Sequence, residues 1–205
     1  MADSNRAVQL NPQLSLAYFA RGNAYTGIGD NDQAIANYDE SIRLNPNNAS
    51  AYNNRGSMYS RKGDSDRAIA DYDKAISLDA NDAKAHYNRG LVFYKKEDYD
   101  RAIADYSEAV RLNPNYSSAY NNRGSAYTKK GNGDRAIADY DKAISLDANN
   151  VHAYFNRGNE YYKKKDYDRA IADYRDAVRL KPNETRYKQW LQTAMERRNG
   201  KPAEK

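Results

Sequence analysis

Apolar side chains recur along this chain in paired amphipathic stretches. Tyr18, Gly22 and Tyr25 are spaced i, i+4, i+7 and so share one helical face. Ala34, Ile35, Tyr38, Ser41 and Ile42 follow at three- and four-residue spacing and mark a second helix. Gly29-Asp30 between them reads as a tight turn. The whole pattern then returns. Gly22, Gly56, Gly90, Gly124 and Gly158 stand 34 residues apart, each preceded by an arginine (Arg21, Arg55, Arg89, Arg123, Arg157). A fixed period of this length predicts stacked helical hairpins. Five full repeats are expected at 15–48, 49–82, 83–116, 117–150 and 151–184.

The flanks extend the pattern. Residues 1–14 read as the end of a preceding repeat, because AVQLNP (Ala7–Pro12) matches SIRLNP (Ser41–Pro46) and AVRLNP (Ala109–Pro114). The expectation is therefore an excerpt of a longer array. Residues 185–200 read as a capping helix with a polar outer face, as a terminal repeat needs, and 201–205 as a loose tail. A second rhythm overlies the first: repeats two and four are near copies, and repeats three and five share YKK, DYDRAIADY and AVRL. Duplication or engineering of a 68-residue unit would give that pattern.

Local chemistry assigns each repeat its parts. Asn47, Asn81, Asn115, Asn149 and Asn183 precede the first helices, where a carboxamide oxygen can cap orphan N–H groups. The glycine lets the second helix approach closely. Lys95-Lys96, Lys129-Lys130 and Lys163 to Lys165 sit where the first helix ends, and Asp32, Asp66, Asp100, Asp134 and Asp168 where the second begins. Both placements suit the helix dipole. The turns carry Gly63-Asp64 and Gly131-Asn132, with Glu97-Asp98 and Lys165-Asp166 as the exceptions. The arginine stem can cover apolar surface while its guanidinium finds solvent or a carboxylate.

Tyr18, Gly22, Tyr25, Ala34, Tyr38, Ser41 and Pro46 together resemble the signature of the tetratricopeptide repeat family. The other four copies match nearly as well; His86 replaces the first aromatic, Ala80 and Ala148 replace proline, and arginine replaces the commoner leucine before glycine. The resemblance implies an all-α, right-handed superhelical solenoid of antiparallel helix hairpins. It also implies a non-catalytic scaffold that binds protein or peptide in a concave groove lined by the first helices.

Composition narrows the remaining classes. A mean hydropathy of −1.11 with 30% charged residues would by itself suggest disorder. The register of the apolar positions, and 20 tyrosines whose rings bury well, argue the reverse. A net charge of +5 comes from 33 basic and 28 acidic residues, interleaved as on solvated faces and without a basic stripe for nucleic acid. No cysteine is present, which suits a reducing compartment; a cytoplasmic location is the expectation. No apolar run is long enough to span a bilayer. His86 and His152 are the only histidines and lie two repeats apart, His86 at a packing position. No metal set, catalytic triad or cofactor motif can be assembled.

The groove then holds the candidates. Asn54, Asn88, Asn122 and Asn156 recur once per repeat on its expected face. A carboxamide offers an acceptor and two donor hydrogens, so it can pair with a peptide unit whatever the side chain. Helices packed about 10 Å apart would supply one asparagine per three residues of an extended chain advancing about 3.3 Å each. The row is similar to the asparagine array in the tetratricopeptide domain of O-linked N-acetylglucosamine transferase; plain solvated asparagine is the other reading. Asn23, Asn53, Asn121 and Asn159 widen the amide surface. Phe19, Tyr87 and Phe155 either face the groove or pack against the next repeat. Asn23, Asn54 and Lys84 match three of the five places of the family's carboxylate clamp, whereas Phe19 and Asn88 depart from it. Self-assembly through the array ends, and an engineered array with no physiological ligand, are the alternatives.

Overall fold

A computed structural model describes residues 2–200; the tail expected at 201–205 lies outside the described residues. The described residues form twelve α-helices and no strand. They are α1 (Ala2–Leu10), α2 (Ser15–Ile28), α3 (Asn31–Leu44), α4 (Ala49–Arg61), α5 (Ser65–Leu78), α6 (Ala83–Lys95), α7 (Tyr99–Leu112), α8 (Ser117–Lys129), α9 (Gly133–Leu146), α10 (Val151–Lys163), α11 (Tyr167–Leu180) and α12 (Thr185–Arg198). The chain divides into two compact units, residues 1–98 and 99–205. In the first, α2/α3 and α4/α5 form hairpins, α1 packs on α2 and α5 on α6, and α2, α4 and α6 lie side by side. In the second, α8/α9 and α10/α11 form hairpins, α7 packs on α8, α8 lies beside α10, and α12 covers α11.

Each hairpin closes on a tyrosine–glycine contact. Tyr38, Tyr72, Tyr140 and Tyr174 are fully buried, with alanines such as Ala34, Ala68, Ala136 and Ala170 beside them. A Cβ placed on Gly22 would stand 2.6 Å from the Tyr38 ring, and one on Gly124 2.8 Å from Tyr140. Only glycine admits the ring at that distance. The turns vary more. Gly29, Gly63 and Gly131 take left-handed φ of 82°, 82° and 74°, while Glu97 and Lys165 hold φ of 60° and 61° with a side chain in place.

The first-helix caps fall one residue later than the sequence suggests. Asn48, Asp82 and Asn150 accept the helical N–H groups of α4, α6 and α10, whereas Tyr116 and Glu184 cap α8 and α12 without a side-chain bond. Asn47, Asn81, Asn115 and Asn149 instead donate their backbone N–H to the side chains of Asn45, Asp79, Asn113 and Asp147. These two-residue-back bonds are Asx turns, and they set the chain direction into the helix. Asp30, Asp64, Asn132 and Asp166 cap the second helices.

The arginines before Gly56, Gly90, Gly124 and Gly158 find carboxylates, whereas Arg21 donates to the carboxamide oxygen of Asn37 at 2.6 Å. Arg55 reaches Asp71 on α5 through Nε and Nη2 at 2.8 and 2.6 Å, and Asp39 on α3 through Nη1 at 2.6 Å. Arg157 repeats this with Asp173 at 2.9 and 2.6 Å and with Asp141 at 2.5 Å. Arg123 holds Asp139 the same way and gives its third contact to Ser107 Oγ at 3.1 Å. One guanidinium thus ties a hairpin to its neighbour, with the bidentate geometry that favours arginine over lysine. Lys62 and three of the lysines assigned to the dipole pair between hairpins: Lys62 with Asp32, Lys96 with Asp66 at 2.7 Å, Lys130 with Asp100, and Lys164 with Asp134.

Candidate functional site

The asparagine row lies on the first helices of both units, half-buried at every position. In the first unit its amides bond to one another. Asn54 Nδ2 donates to Asn23 Oδ1 at 2.9 Å, Asn53 Nδ2 to Asn54 Oδ1 at 3.3 Å, and Asn88 Nδ2 to Asn53 Oδ1 at 3.0 Å. Tyr38 donates its hydroxyl to Asn23 Oδ1 at 2.8 Å, which anchors the chain of amides to the core. In the second unit Asn121 Nδ2 donates to Asn122 Oδ1 at 3.0 Å, Asn156 Nδ2 to Ser125 Oγ at 3.4 Å, and Tyr174 to Asn159 Oδ1 at 2.8 Å. Asn121 Oδ1 is buried and without a hydrogen-bond partner among the described residues.

The companions separate by depth. Asn23 and Lys84 are exposed, and Tyr87 is half-buried. Phe19 is half-buried with its ring 6.0 Å from Tyr38. Asn53 is 8% exposed and Phe155 7%, so both stand behind the wall rather than on it. Phe155 packs 5.7 Å from Tyr174 and 4.9 Å from Tyr187 of α12, with the Arg186 guanidinium 4.7 Å over its ring. The Phe155 ring is therefore covered by Tyr187 and Arg186 of α12.

One group escaped the reading of the sequence. Trp190 stands 34 residues after Asn156, in the register of the asparagines; it is 37% exposed and meets Tyr162 edge-on at 5.4 Å. Continuing the period one step into α12 would have found it. Arg61, near the end of α4, lines a cavity with Asn23 and Asn54. His86 is buried, its Nε2 3.3 Å from the Ala80 carbonyl, while His152 is exposed and its pKa lowered by partial burial and then by Lys181 and Arg186. Among the described residues no group of acidic or histidine side chains could hold a metal, and no helix is long and apolar enough to cross a membrane.

Comparison with known proteins agrees with this architecture. The TPR repeat matches residues 22–63, 56–97, 90–131 and 124–163, and the tetratricopeptide repeat matches 151–184. No curated protein matches the chain. Among solved structures, MamA is 30% identical over 81% of this chain and 97% of its own, with a TM-score of 0.73. YrrB, described as a TPR protein with an unusual peptide-binding site, is 23% identical over 94% of this chain and 97% of its own, with a TM-score of 0.75. PilF of Pseudomonas aeruginosa is 22% identical over 90% and 86%, with a TM-score of 0.81. With the repeat matched over most of its length, the chain belongs to the tetratricopeptide repeat family.

Proposed function

We propose that the chain is a non-catalytic scaffold that holds a polypeptide segment against its first helices. The observation that carries this reading is the hydrogen-bonding state of the row asparagines. Asn54 uses one N–H and one oxygen lone pair within the wall, and Asn88 uses one N–H. Each keeps the donor and acceptor that a peptide unit needs. The bonds along the wall hold these carboxamides in place before a ligand arrives, which lowers the entropy cost of binding. Asn23, Lys84, Tyr87, Asn122, Asn156 and Asn159 complete the surface in the two units. Phe19 contributes its outer edge, while Asn53, Asn121 and Phe155 support it from behind.

Panning a dodecapeptide library against the chain supplies a ligand, and titration then tests the site. Asn88→Ala with Asn122→Ala should weaken the selected peptide about thirtyfold, at roughly 1 kcal/mol net for one lost bond at each residue, with unchanged helicity. Equal affinity for both proteins would remove the asparagines from the site. A second reading, self-association, has its own observation. Leu10, Leu14, Leu16 and Ile28 are exposed on and beside α1 and α2, Leu10 by 75%. Apolar surface of this kind favours a protein contact. Light scattering over a concentration series decides it: a constant monomer mass excludes this second role.

A further inference from the structure

The turn into α9 departs from its counterparts at two adjacent positions. The residue before each second helix is Asp30, Asp64, Asp98 and Asp166, but Asn132 in the fourth repeat. Asp64 and Asp166 cap their helices and also hold an arginine three residues on. Asp64 Oδ2 accepts from Arg67 Nε at 2.6 Å, and Asp166 Oδ2 from Arg169 Nε at 2.5 Å. Asn132 keeps only the cap, and that loosely. The backbone nitrogen of Arg135 lies 3.4 Å from Asn132 Oδ1, against 3.0 to 3.1 Å at Asp30, Asp64 and Asp166. The Arg135 guanidinium makes no hydrogen bond or ion pair with any described residue and lies over the Tyr127 ring at 5.7 Å. The next residue is glycine only here: Asn31, Ser65, Tyr99 and Tyr167 give way to Gly133. A Cβ on Gly133 would stand 2.8 Å from Oε2 of Glu160, a buried carboxylate in the place of Met58, Val92 and Ala126. Asn31 and Ser65 donate their backbone N–H to the Gly29 and Gly63 carbonyls at 3.1 Å, whereas the Gly133 N–H makes no hydrogen bond among the described residues.

An asparagine followed by glycine is open to attack by its own backbone, since no Cβ shields the next nitrogen and rotation about it is easy. We propose that Asn132 is a modification site, where water deamidates the side chain and leaves an aspartate that pairs with Arg135. The Gly133 nitrogen gives its proton to hydroxide and bonds to Asn132 Cγ. The Cγ–Nδ2 bond breaks, ammonia departs, and a succinimide ring remains. Water then adds at Cγ, the bond to the Gly133 nitrogen breaks, and that nitrogen regains a proton. The sum is asparagine and water giving aspartate and ammonia, with no oxidant or reductant. Addition of water at the main-chain carbonyl gives isoaspartate instead. The cap holds Asn132 at ψ 70°, and ring closure requires rotation away from it. The long cap contact and the bare Gly133 favour that local opening. Asn132 lines an open niche of about 190 Å3 with Asp100, Tyr127, Lys130 and Arg135, so water has access to it. The new carboxylate then stands at the favourable end of the α9 dipole. It lies three residues before Arg135, the arrangement that Asp64 and Asp166 hold with Arg67 and Arg169.

The full chain, incubated folded at mildly alkaline pH and mapped by chymotryptic digestion with mass spectrometry, tests the site. The peptide carrying Asn132 should gain about 1 Da, and fragmentation should find aspartate at that position. Asn199-Gly200, the chain's other Asn-Gly pair, lies at the end of α12 and serves as an internal clock. Asn132 should convert more slowly than Asn199, because its cap must open first. Conversion at Asn199 with Asn132 unchanged overturns the proposal, and so does a product that is isoaspartate alone. Asn132→Asp supplies the aspartyl product directly and tests the pairing. It should raise the melting temperature by about 2 °C, and Arg135→Ala should remove about half of that gain or more. No gain, or a gain undiminished by Arg135→Ala, overturns the pairing with Arg135.

Discussion

Two glycines of α2 carry opposite requirements, although they stand only five residues apart. At Gly22 an added Cβ would lie 2.6 and 2.7 Å from two carbons of the buried Tyr38 ring, whose hydroxyl is fixed by Asn23 and Thr26. The ring cannot retreat without breaking those bonds. Gly22→Ala should therefore cost about 1–3 kcal/mol, the range for overpacking a tight core. At Gly27 a Cβ would meet nothing within 4 Å. Gly27→Ala should stabilise by roughly 0.5 kcal/mol, because it removes backbone freedom from the unfolded chain. Urea melts of the two variants read the difference in sign. Lys165 gives a third residue-scale case. Its φ of 61° is left-handed, and an L side chain is disfavoured there. Lys165→Gly should raise stability by about 0.5–1 kcal/mol, with Gly63→Ala, at φ 82°, falling by a similar amount.

Between elements, the two kinds of charged link should differ sharply in weight. Burial raises the pKa of Asp173, and Arg157 only partly offsets that rise. Deleting the arginine would leave a buried carboxylate with no cation, at a cost of about 3 kcal/mol. Lys164 and Asp134 pair in solvent, and Lys164→Ala should cost under about 0.5 kcal/mol. Denaturant melts of Arg157→Ala and Lys164→Ala check the ratio; comparable losses would mean that Asp173 relaxes into water. The elements themselves were legible in the sequence because every hairpin repeats the same glycine–tyrosine spacing. The caps were misplaced by one because Asn47 and Asn48 have the same chemistry, and only the Asx turn from Asn45 tells them apart. Adjacent asparagines pose the same problem within the site: Asn53 is buried while Asn54 is half-buried. The ring of Phe155 packs on Tyr187, which stands where the earlier repeats have alanine (Ala17, Ala51, Ala85, Ala119, Ala153), so the repeat pattern predicts no ring there.

At the scale of the whole chain, the tyrosines that fill the repeats set the alkaline limit of stability. Burial raises the pKa of Tyr38, Tyr72 and Tyr174 above the ordinary 10.0, Tyr72 to about 12, with its Ser57 hydrogen bond only partly offsetting the rise. A group whose folded pKa lies above its unfolded value contributes stability that is complete below the unfolded value and disappears as pH climbs through the folded one. Between pH 10 and about 12 the unfolded chain gives up phenolic protons that the folded chain retains, so unfolding is favoured. The opposite arm rests on Asp64 and Asp166. Their pKa values are lowered, by the backbone and side chain of Arg67 for Asp64 and by the side chain and backbone of Arg169 for Asp166. Their contribution is present above the ordinary carboxylate pKa of 3.8 and fades as pH falls through the lowered values. Thermal melts followed by circular dichroism should therefore show a plateau at neutral pH with a loss on each side. The alkaline loss should run in step with tyrosinate absorbance. Tyr72→Phe separates the causes. It removes the 3.2 Å contact to Ser57 Oγ, at a neutral-pH cost of about 1 kcal/mol, and it should make the alkaline decline shallower. An alkaline limb as steep in Tyr72→Phe as in the parent would mean that this phenol ionises without unfolding the helices around it.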